Sequence, residues 1–403
     1  MKGIQQLSPL LEKVQKPIHI KEFSGKRVAV DGHGWLLAGA IPHASELARG
    51  VEKKDYVTFF IGLITMLRLN NVTPVVVFNG QTLPMKQHME DVKTKQRKAL
   101  IERGDKLYEE GKLTNAKKCY ERAFFVTQTM VAKIIRELDR LKVQHVVAPY
   151  ESEPQLAYML MEKQVDAVIS DKTEVLAYGA SKVVRGMDRN GHGQFVDQCR
   201  LLRLMGLNAY QFIHLCILSG SDAISALPGV AFKTALGMVR RHRTIDGLLA
   251  AVQKKYQKRI ADNYTKRFKR INDAHMYQFV YNMNLNVYRR MYAVPNGITI
   301  QDPGKTPDYL DIPMLRTNNA IVIDPLDVIR DENKENFWPW DAVVYDASGQ
   351  YQKVSKGLGY TTIHKIEPKS SARSIPLEFK KYTPESKRKS SFINTNKTKS
   401  RRL

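Results

Sequence analysis

Acidic and amide side chains stand at the ends of four short apolar runs in this chain of 403 residues. The runs are KRVAVD at 26–31, VTPVVVFNG at 72–80, VQHVVAPYE at 143–151 and VDAVISD at 165–171, and each is typical of a buried strand. Because ligands bind at the carboxyl ends of parallel strands, we expect these side chains to form one binding edge. Oxygen ligands of this kind are those that Mg²⁺ prefers. The side chains are Asp31, Asn79, Glu151, Glu153, Asp171 and Glu174.

The elements that position these side chains follow from hydrophobic periodicity. Helical spacing occupies 56–69, 125–141 and 155–161, between and after the predicted strands. Strands that alternate with helices predict an α/β fold, in which a mostly parallel sheet is flanked by helices.

A long charged segment, 82–122, interrupts this alternation and has no strand pattern. It carries eleven Lys/Arg and seven Asp/Glu between Lys86 and Arg122, which predicts a mildly cationic helical excursion. Taken alone, the segment is at least as well explained by a solvated helical hairpin whose charges have no function.

The overall charge favours nucleic acid as a partner. The chain has 64 Lys+Arg against 40 Asp+Glu, a formal net charge of +24 and a pI near 9.8. Three separated cysteines, Cys119, Cys199 and Cys216, cannot build a disulfide framework, so we expect a reducing compartment. No apolar run approaches the roughly 20 residues that a membrane span needs, so we expect a soluble intracellular protein with no membrane partner.

The second half of the chain changes in character twice. Helical patterns run from 201 to 292, with a break at 221–231, and residues 293–364 are irregular. The tail, 365–403, has twelve Lys/Arg and three Asp/Glu and is predicted to be disordered. Its KRKS and KSRRL segments are compatible with a nuclear import signal and equally with a solvated basic tail.

Four ordered blocks resemble the 5′-nuclease superfamily of flap endonuclease and XPG-like enzymes, and within it the exonuclease 1 group. They are the opening MKGIQQLSPLLEKVQKPIHIKEFSGKRVAVDG, then APYESEPQLAY, AVISDKTEVLAYG and CILSGSDAISALPGVAFKTAL. The resemblance extends to about residue 290 and implies a PIN-like nuclease core with a helical arch and a helix-two-turn-helix region. It divides the chain into an N-terminal nuclease region at 1–100, the arch at 82–122, an internal nuclease region at 138–225, a DNA-binding region at 221–292, an irregular wrap at 293–364 and the tail at 365–403.

The function that the resemblance implies is Mg²⁺-dependent hydrolysis of duplex DNA from 5′ ends and of 5′ flaps, in repair or recombination in the nucleus. Such hydrolysis uses carboxylates that hold two metal ions about 4 Å apart. Carried over by position, the metal ligands here are Asp31, Glu151, Glu153, Glu174 and Asp222.

Several of these positions depart from the family. Asn79 and Lys172 replace family aspartates, while Glu153 and Glu174 are aspartates lengthened by one methylene. The site's formal charge is thus −4 in place of −7, and two, one or no Mg²⁺ ions remain compatible with it. We expect the Lys172 ammonium to lie near the second metal position, and Asp171 is a weaker substitute ligand. Lys2, which precedes Gly3 where the family begins Met-Gly-Ile, is expected to crowd the site.

The DNA-binding positions are better retained. Lys86 and Arg97 match arch residues that meet the scissile phosphate and are the predicted catalytic cations, and Lys93 stands where an arginine is usual. His33 lies beside the active site, where it can stack on a base. In the turn at 227–236, Gly229, Ala231 and Lys233 are expected to meet duplex phosphates, and Ala231, a family glycine, weakens a K⁺ site there.

Three hypotheses follow. The first is an active 5′ nuclease, and the second is a pseudonuclease that binds 5′ flaps, nicked or recessed duplexes but hydrolyses them weakly or not at all. The third and weakest is a protein-binding scaffold. We favour the second, acting as a monomer with mismatch-repair or recombination proteins as candidate partners.

Overall fold

The structure is a computed structural model that describes residues 7–220, 224–227, 229–242, 244–257 and 263–292, with four short C-terminal segments at 315–316, 342–345, 351–357 and 360–365. The helices are α1 Ser8–Val14, α2 Gly32–Ala40, α3 Ala44–Ala48, α4 Asp55–Leu69, α5 Gln87–Glu109, α6 Leu113–Ala123, α7 Gln128–Arg140, α8 Ser152–Met161, α9 Glu174–Ala177, α10 Gln198–Met205, α11 Ala209–Leu218, α12 Phe232–Arg241, α13 Ile245–Tyr256 and α14 Tyr264–Tyr277. The strands are β1 Lys16–His19, β2 Arg27–Asp31, β3 Thr73–Phe78, β4 Gln144–Val147, β5 Ala167–Ile169, β6 Lys182–Arg185, β7 His192–Asp197, β8 Phe279–Asn282, β9 Val287–Arg290, β10 Leu315–Arg316, β11 Ala342–Tyr345, β12 Tyr351–Gly357 and β13 Tyr360–Lys365. Short 3₁₀ turns lie at Ile20–Phe23, Ile41–His43 and Pro84–Lys86.

The main sheet has the strand order β1-β7-β6-β5-β2-β3-β4-β10 among the described residues. Its centre, β6-β5-β2-β3-β4, is parallel, whereas β1, β7 and β10 join antiparallel. The predicted α/β fold with a mostly parallel sheet is confirmed. Because the central strands share one direction, their carboxyl ends lie along one edge.

Helices cover both faces of this sheet. Val28 and Val30 of β2 belong to the core formed with α2, α4 and α7, whereas Ala29 belongs to the core formed with α8, α10 and α11. Side chains alternate along a strand, so Asp31 follows Ala29 onto the α8 side.

The four predicted strands are present as β2, β3, β4 and β5, each shorter than its apolar run. Strand β4 ends at Val147, two residues before Pro149, which has no N–H to donate to a ladder. Strands β6 and β7 and the β8–β9 hairpin were not predicted, and the hairpin lies inside the run expected to be helical.

The charged excursion is helical, as expected. Helices α5 and α6 form an antiparallel pair, and the Tyr120 hydroxyl of α6 donates to the Asp105 carboxylate of α5 at 2.7 Å. The predicted disorder of 365–403 falls outside the described residues except for Lys365, the last residue of β13.

In the described part of the chain, no single helix is long and apolar enough to cross a membrane, and α10 with α11 meets that test only as a pair bent by 73°.

Gly80 permits the close crossing of the loops that follow β3 and β4. Its N–H donates to the Tyr150 carbonyl at 2.6 Å, and a Cβ at this position would lie 1.9 Å from the Ala148 carbonyl oxygen. We predict that Gly80→Ala lowers the free energy of unfolding by about 3 kcal/mol, because backbone must move to relieve the clash. Urea unfolding measures this change.

The matched control is Gly62→Ala on α4, where an added Cβ meets nothing within 4 Å. There alanine should be neutral or stabilise by up to about 1 kcal/mol, since it restricts the unfolded chain. Equal effects of the two substitutions would contradict the close crossing at Gly80.

Candidate functional site: a carboxylate cluster closed by lysine

Asp31 is almost fully buried at the predicted site, with 1% of its side chain exposed. It ends β2 and caps α2, accepting a hydrogen bond from the Gly34 N–H at 3.1 Å. The hydroxyls of Ser170 and Ser152 donate to its two oxygens at 3.0 and 3.4 Å. A buried carboxylate needs such partners, because an unpaired buried charge is strongly unfavourable.

Lys172 supplies the positive charge in this pocket. Its Nζ lies 2.7 Å from Glu153 Oε1 and 3.4 Å from Asp31 Oδ2, and it donates to Ser152 Oγ at 3.3 Å. Burial lowers the pKa of Lys172, but the charges of Asp31 and Glu153 raise it more, so the net shift is upward. The side chain is only 9% exposed, and its ammonium remains charged between the two carboxylates.

Glu151 and Lys86 form a second pair beside the first. Lys86, in the turn Pro84–Lys86, places its Nζ 2.5 Å from Glu151 Oε1. Burial alone would lower the pKa of Lys86, but the negative charge of Glu151 acts in the opposite direction. The net shift of the Lys86 pKa is upward. On the neighbouring Glu153, burial raises the pKa, while Lys172 more than compensates and lowers it. Lys86 with Glu151 and Lys172 with Glu153 thus lie side by side as two close pairs of opposite charge.

Asn79 has a positioning role in this geometry. Its side-chain oxygen accepts from the Ser152 N–H at 2.9 Å, which fixes the start of α8, and its own N–H donates to His33 Nδ1 at 3.1 Å. Burial first, and then the Lys172 charge, lower the pKa of His33 to about 4, so its ring is neutral. His33 thus lies beside the cluster as predicted, with one ring nitrogen already engaged.

Asp171 and Glu174 have contacts outside the Asp31–Lys172–Glu153 group. Asp171 Oδ1 accepts from the Gly186 N–H at 2.6 Å, which directs its carboxylate toward the end of β6. The structure therefore does not support Asp171 as a substitute ligand. Glu174 accepts from the Thr173 hydroxyl at 3.4 Å, and its charge adds to the effect of burial in raising the pKa of the Cys216 thiol. Asp222 and Lys2 lie outside the described residues.

Sequence reasoning missed the groups that support the cluster. Ser152 lies between two predicted ligands and Ser170 directly follows β5, so position alone could have indicated both. Tyr178 and His275 gave no such signal. Their rings stack at 4.8 Å, and the Tyr178 hydroxyl donates to Glu151 Oε2 at 3.5 Å.

The arch cations Lys93 and Arg97 are held by one acid of their own helix. Glu90 Oε1 lies 2.6 Å from Lys93 Nζ, and Glu90 Oε2 lies 3.6 Å from Arg97 Nη1. The Arg97 guanidinium also stands 5.0 Å from the centre of the Phe125 ring. The carboxylate of Glu90 therefore partly neutralises the charges of Lys93 and Arg97.

The structure describes the predicted duplex-binding turn at 227–236, with the exception of Pro228. Gly229 has a φ of +81°, a conformation that favours glycine, so its retention has a backbone reason. Ala231 has a φ of −71° before α12, an ordinary value, and its methyl group causes no strain there. Lys233 is exposed in the first turn of α12.

A pair of divalent ions does not fit the cluster in this arrangement. The Lys172 ammonium fills the space between Asp31 and Glu153, and Lys86 engages Glu151. Within the described ranges, no group of three or more His, Cys, Asp and Glu side chains has an arrangement that could hold a metal ion.

Known proteins resemble this chain in sequence over the same regions. Residues 2–100 match the XPG N-terminal domain, and residues 142–222 match the XPG I-region. Exonuclease 1 of Danio rerio is 34% identical over 288 residues, covering 69% of this chain and 36% of that protein. Exonuclease 1 of Arabidopsis thaliana is 33% identical, covering 70% of this chain and 39% of that protein. The chain thus spans little more than a third of the length of these relatives.

A solved structure supports the fold independently. The catalytic core of Rad2 in complex with DNA substrate superposes with a TM-score of 0.52 at 21% identity, covering 73% of this chain and 91% of that one. At this identity the likeness concerns the fold alone.

The buried ring of His275, stacked on Tyr178, should make the stability of the fold depend on pH. Burial lowers its pKa to about 4, with Lys86 acting in the same direction against the hydrogen bond to the Ile271 carbonyl. Unfolded histidine titrates near 6.5, so between about pH 6.5 and 4 the unfolded chain binds more protons, and stability falls as pH falls. His275→Phe keeps a ring against Tyr178 and should reduce this slope by up to about 1.4 kcal/mol per pH unit. Urea unfolding at several pH values in this window measures the slope, and an unchanged slope would contradict the assignment.

Proposed function

We propose that this chain, as a member of the XPG-like 5′-nuclease family, binds 5′ ends and 5′ flaps of duplex DNA. We propose further that it hydrolyses such DNA weakly or not at all. The relatives it matches are exonucleases, but it spans only part of their length. The proposal therefore depends on the site of this chain.

The position of Lys172 carries the proposal. Two-metal hydrolysis needs carboxylates free to bind cations, yet here Asp31 and Glu153 are 3.4 and 2.7 Å from an ammonium on the same chain. That ammonium cannot activate a water molecule as a divalent ion does. Asn79 removes a further charge, and its oxygen is used to hold the Ser152 N–H.

Binding of DNA is supported by the cations that remain. Lys93 and Arg97 lie on the arch helix α5, and Lys233 follows the turn at Gly229. The net charge of +24 makes phosphate binding favourable and dependent on salt.

An active Mg²⁺-dependent nuclease is the second candidate. It is favoured by the retained acids, Glu174 and Asp222 among them, and by Lys86, which keeps the family's cation beside the cluster. It requires Lys172 to leave the position between Asp31 and Glu153.

The biological setting is proposed from the family. We infer a role in DNA repair or recombination in the nucleus, as a monomer, with mismatch-repair or recombination proteins as partners and K⁺ at the turn around Gly229. The import-like segments of the basic tail lie outside the described residues, and a protein-binding scaffold that uses this tail stays a prediction.

Cleavage of a labelled 5′-flap duplex in Mg²⁺ or Mn²⁺ distinguishes the two candidates. We expect little or no turnover by the wild type. The double variant Lys172→Asp, Asn79→Asp should raise it at least tenfold, because it restores two carboxylates and removes the ammonium. Lys182→Asp on β6 is the matched charge reversal at an exposed position and should give no gain.

Metal-dependent turnover by the wild type that disappears in Asp31→Ala would overturn the proposal that hydrolysis is weak or lost. If the double variant binds the flap but gains no activity, the defect lies elsewhere, in the arch or the N-terminal residues, and the explanation by Lys172 fails.

The arch pairing predicts how DNA affinity responds to Glu90. Glu90→Gln removes the carboxylate that pairs with Lys93 and Arg97 and should tighten flap binding by up to about fivefold, since partly exposed pairs are worth at most about 1 kcal/mol. Glu121→Gln on α6 is the control, because it removes the same charge from a weaker pair with Lys117 at 3.9 Å. Fluorescence anisotropy at two salt concentrations measures both affinities. Equal gains from the two variants would exclude a specific effect of the Glu90 pairs, and affinity insensitive to salt would contradict DNA binding itself.

A further inference from the structure

A surface groove of about 1000 Å³ runs between α4 and α7, apart from the carboxylate cluster. Its floor comes mainly from α4, where Val57, Ile61 and Leu69 contribute apolar surface. Leu69 is 82% exposed, which is the highest value among the large exposed hydrophobic residues of the described chain. Above Gly62 the groove is open, because a Cβ there would meet nothing within 4 Å.

The rim of this groove is strongly basic. Six Lys/Arg side chains line it against two glutamates, an excess of four positive charges. Glu52 pairs with Lys133 at 2.6 Å and Glu137 pairs with Arg140 at 2.9 Å, so both acids are already engaged within the rim. The six basic residues are Lys53, Lys54, Lys133, Arg136, Arg140 and Arg189.

The sheet topology places the Leu69 and Arg140 end of this groove away from the sheet edge that carries the carboxylate cluster. Helix α4 leads into β3 and α7 leads into β4, so Leu69 and Arg140 lie near the amino ends of those strands. The Arg68 guanidinium donates to the Leu141 carbonyl at 3.0 Å, which joins the two helix ends there. Asp31 and Asn79 stand at the opposite, carboxyl edge of the sheet.

We propose that this groove binds an acidic amphipathic helix of a partner protein. Apolar side chains spaced at i, i+4 and i+7 would cover the floor around Ile61 and Leu69, while Asp and Glu on both flanks would meet the rim cations. The 15 residues of α4 extend about 22 Å, enough for three to four turns of a bound helix. Charge complementarity selects an acidic partner, and the apolar floor distinguishes it from a phosphate backbone, which offers nothing to cover Leu69.

The test uses the whole chain of 403 residues and a displayed library of random peptides about 15 residues long. Peptides enriched on the wild type should carry acidic residues around apolar residues at helical spacing. Their synthetic forms should lose at least tenfold in affinity on Gly62→Glu, which fills the open space with a negative charge, and on Leu69→Glu. Leu285→Glu is the matched control, because Leu285 is also exposed, at 60%, but lies in the turn between β8 and β9.

Three results would overturn the proposal. Enriched peptides that lack the acidic and apolar pattern would contradict the assigned chemistry. Equal binding to Leu69→Glu and Leu285→Glu would place the peptide elsewhere. A loss of duplex DNA affinity in Leu69→Glu as large as the loss of peptide affinity would make the groove a nucleic-acid surface. Because the peptide measurement contains no DNA, its outcome is independent of the function proposed above.

Discussion

The ammonium of Lys172 between Asp31 and Glu153 is the interaction on which the rest of the site depends. Three charged groups are buried together at the end of the central strand, and each would be unfavourable there without the others. Removing one partner of such a buried group typically costs about 3–5 kcal/mol, because the charges left behind have lost both water and their counterion. A divalent ion could balance the same carboxylates, but only if the lysine side chain left.

The surrounding polar groups are arranged around this ion pair. Ser152 and Ser170 donate to Asp31, and Asn79 fixes the Ser152 backbone, so the start of α8 is tied to the ends of β2 and β3. Lys86 neutralises Glu151 in the same way from the 3₁₀ turn that precedes α5. The sheet edge thus keeps the geometry of a site that gathers carboxylates, while lysines of the chain supply the positive charge.

The sequence predicted the frame of this site better than its contacts. Apolar runs ending in polar residues indicated β2 to β5 and hence the shared edge, and the charge change at Lys172 indicated an ammonium close to the acids. The direction of Asp171 could not be predicted, because it depends on the N–H of Gly186, which directly follows β6, a strand that sequence periodicity did not reveal. The basic groove also needed the structure, since α4 and α7 are separated by the whole arch along the chain. Lys2 and Asp222, which lie outside the described residues, stay predictions.

Calorimetric titration of Mn²⁺ into the wild type and into Lys172→Asp tests the central claim most directly, because it measures whether the carboxylates accept a metal without requiring catalysis. The account predicts no stoichiometric binding to the wild type or to Lys182→Asp, and binding of at least one ion to Lys172→Asp. Stoichiometric binding of Mn²⁺ to the wild type, with the same affinity as to Lys172→Asp, would show that the lysine does not occupy the place of a metal and would contradict the account.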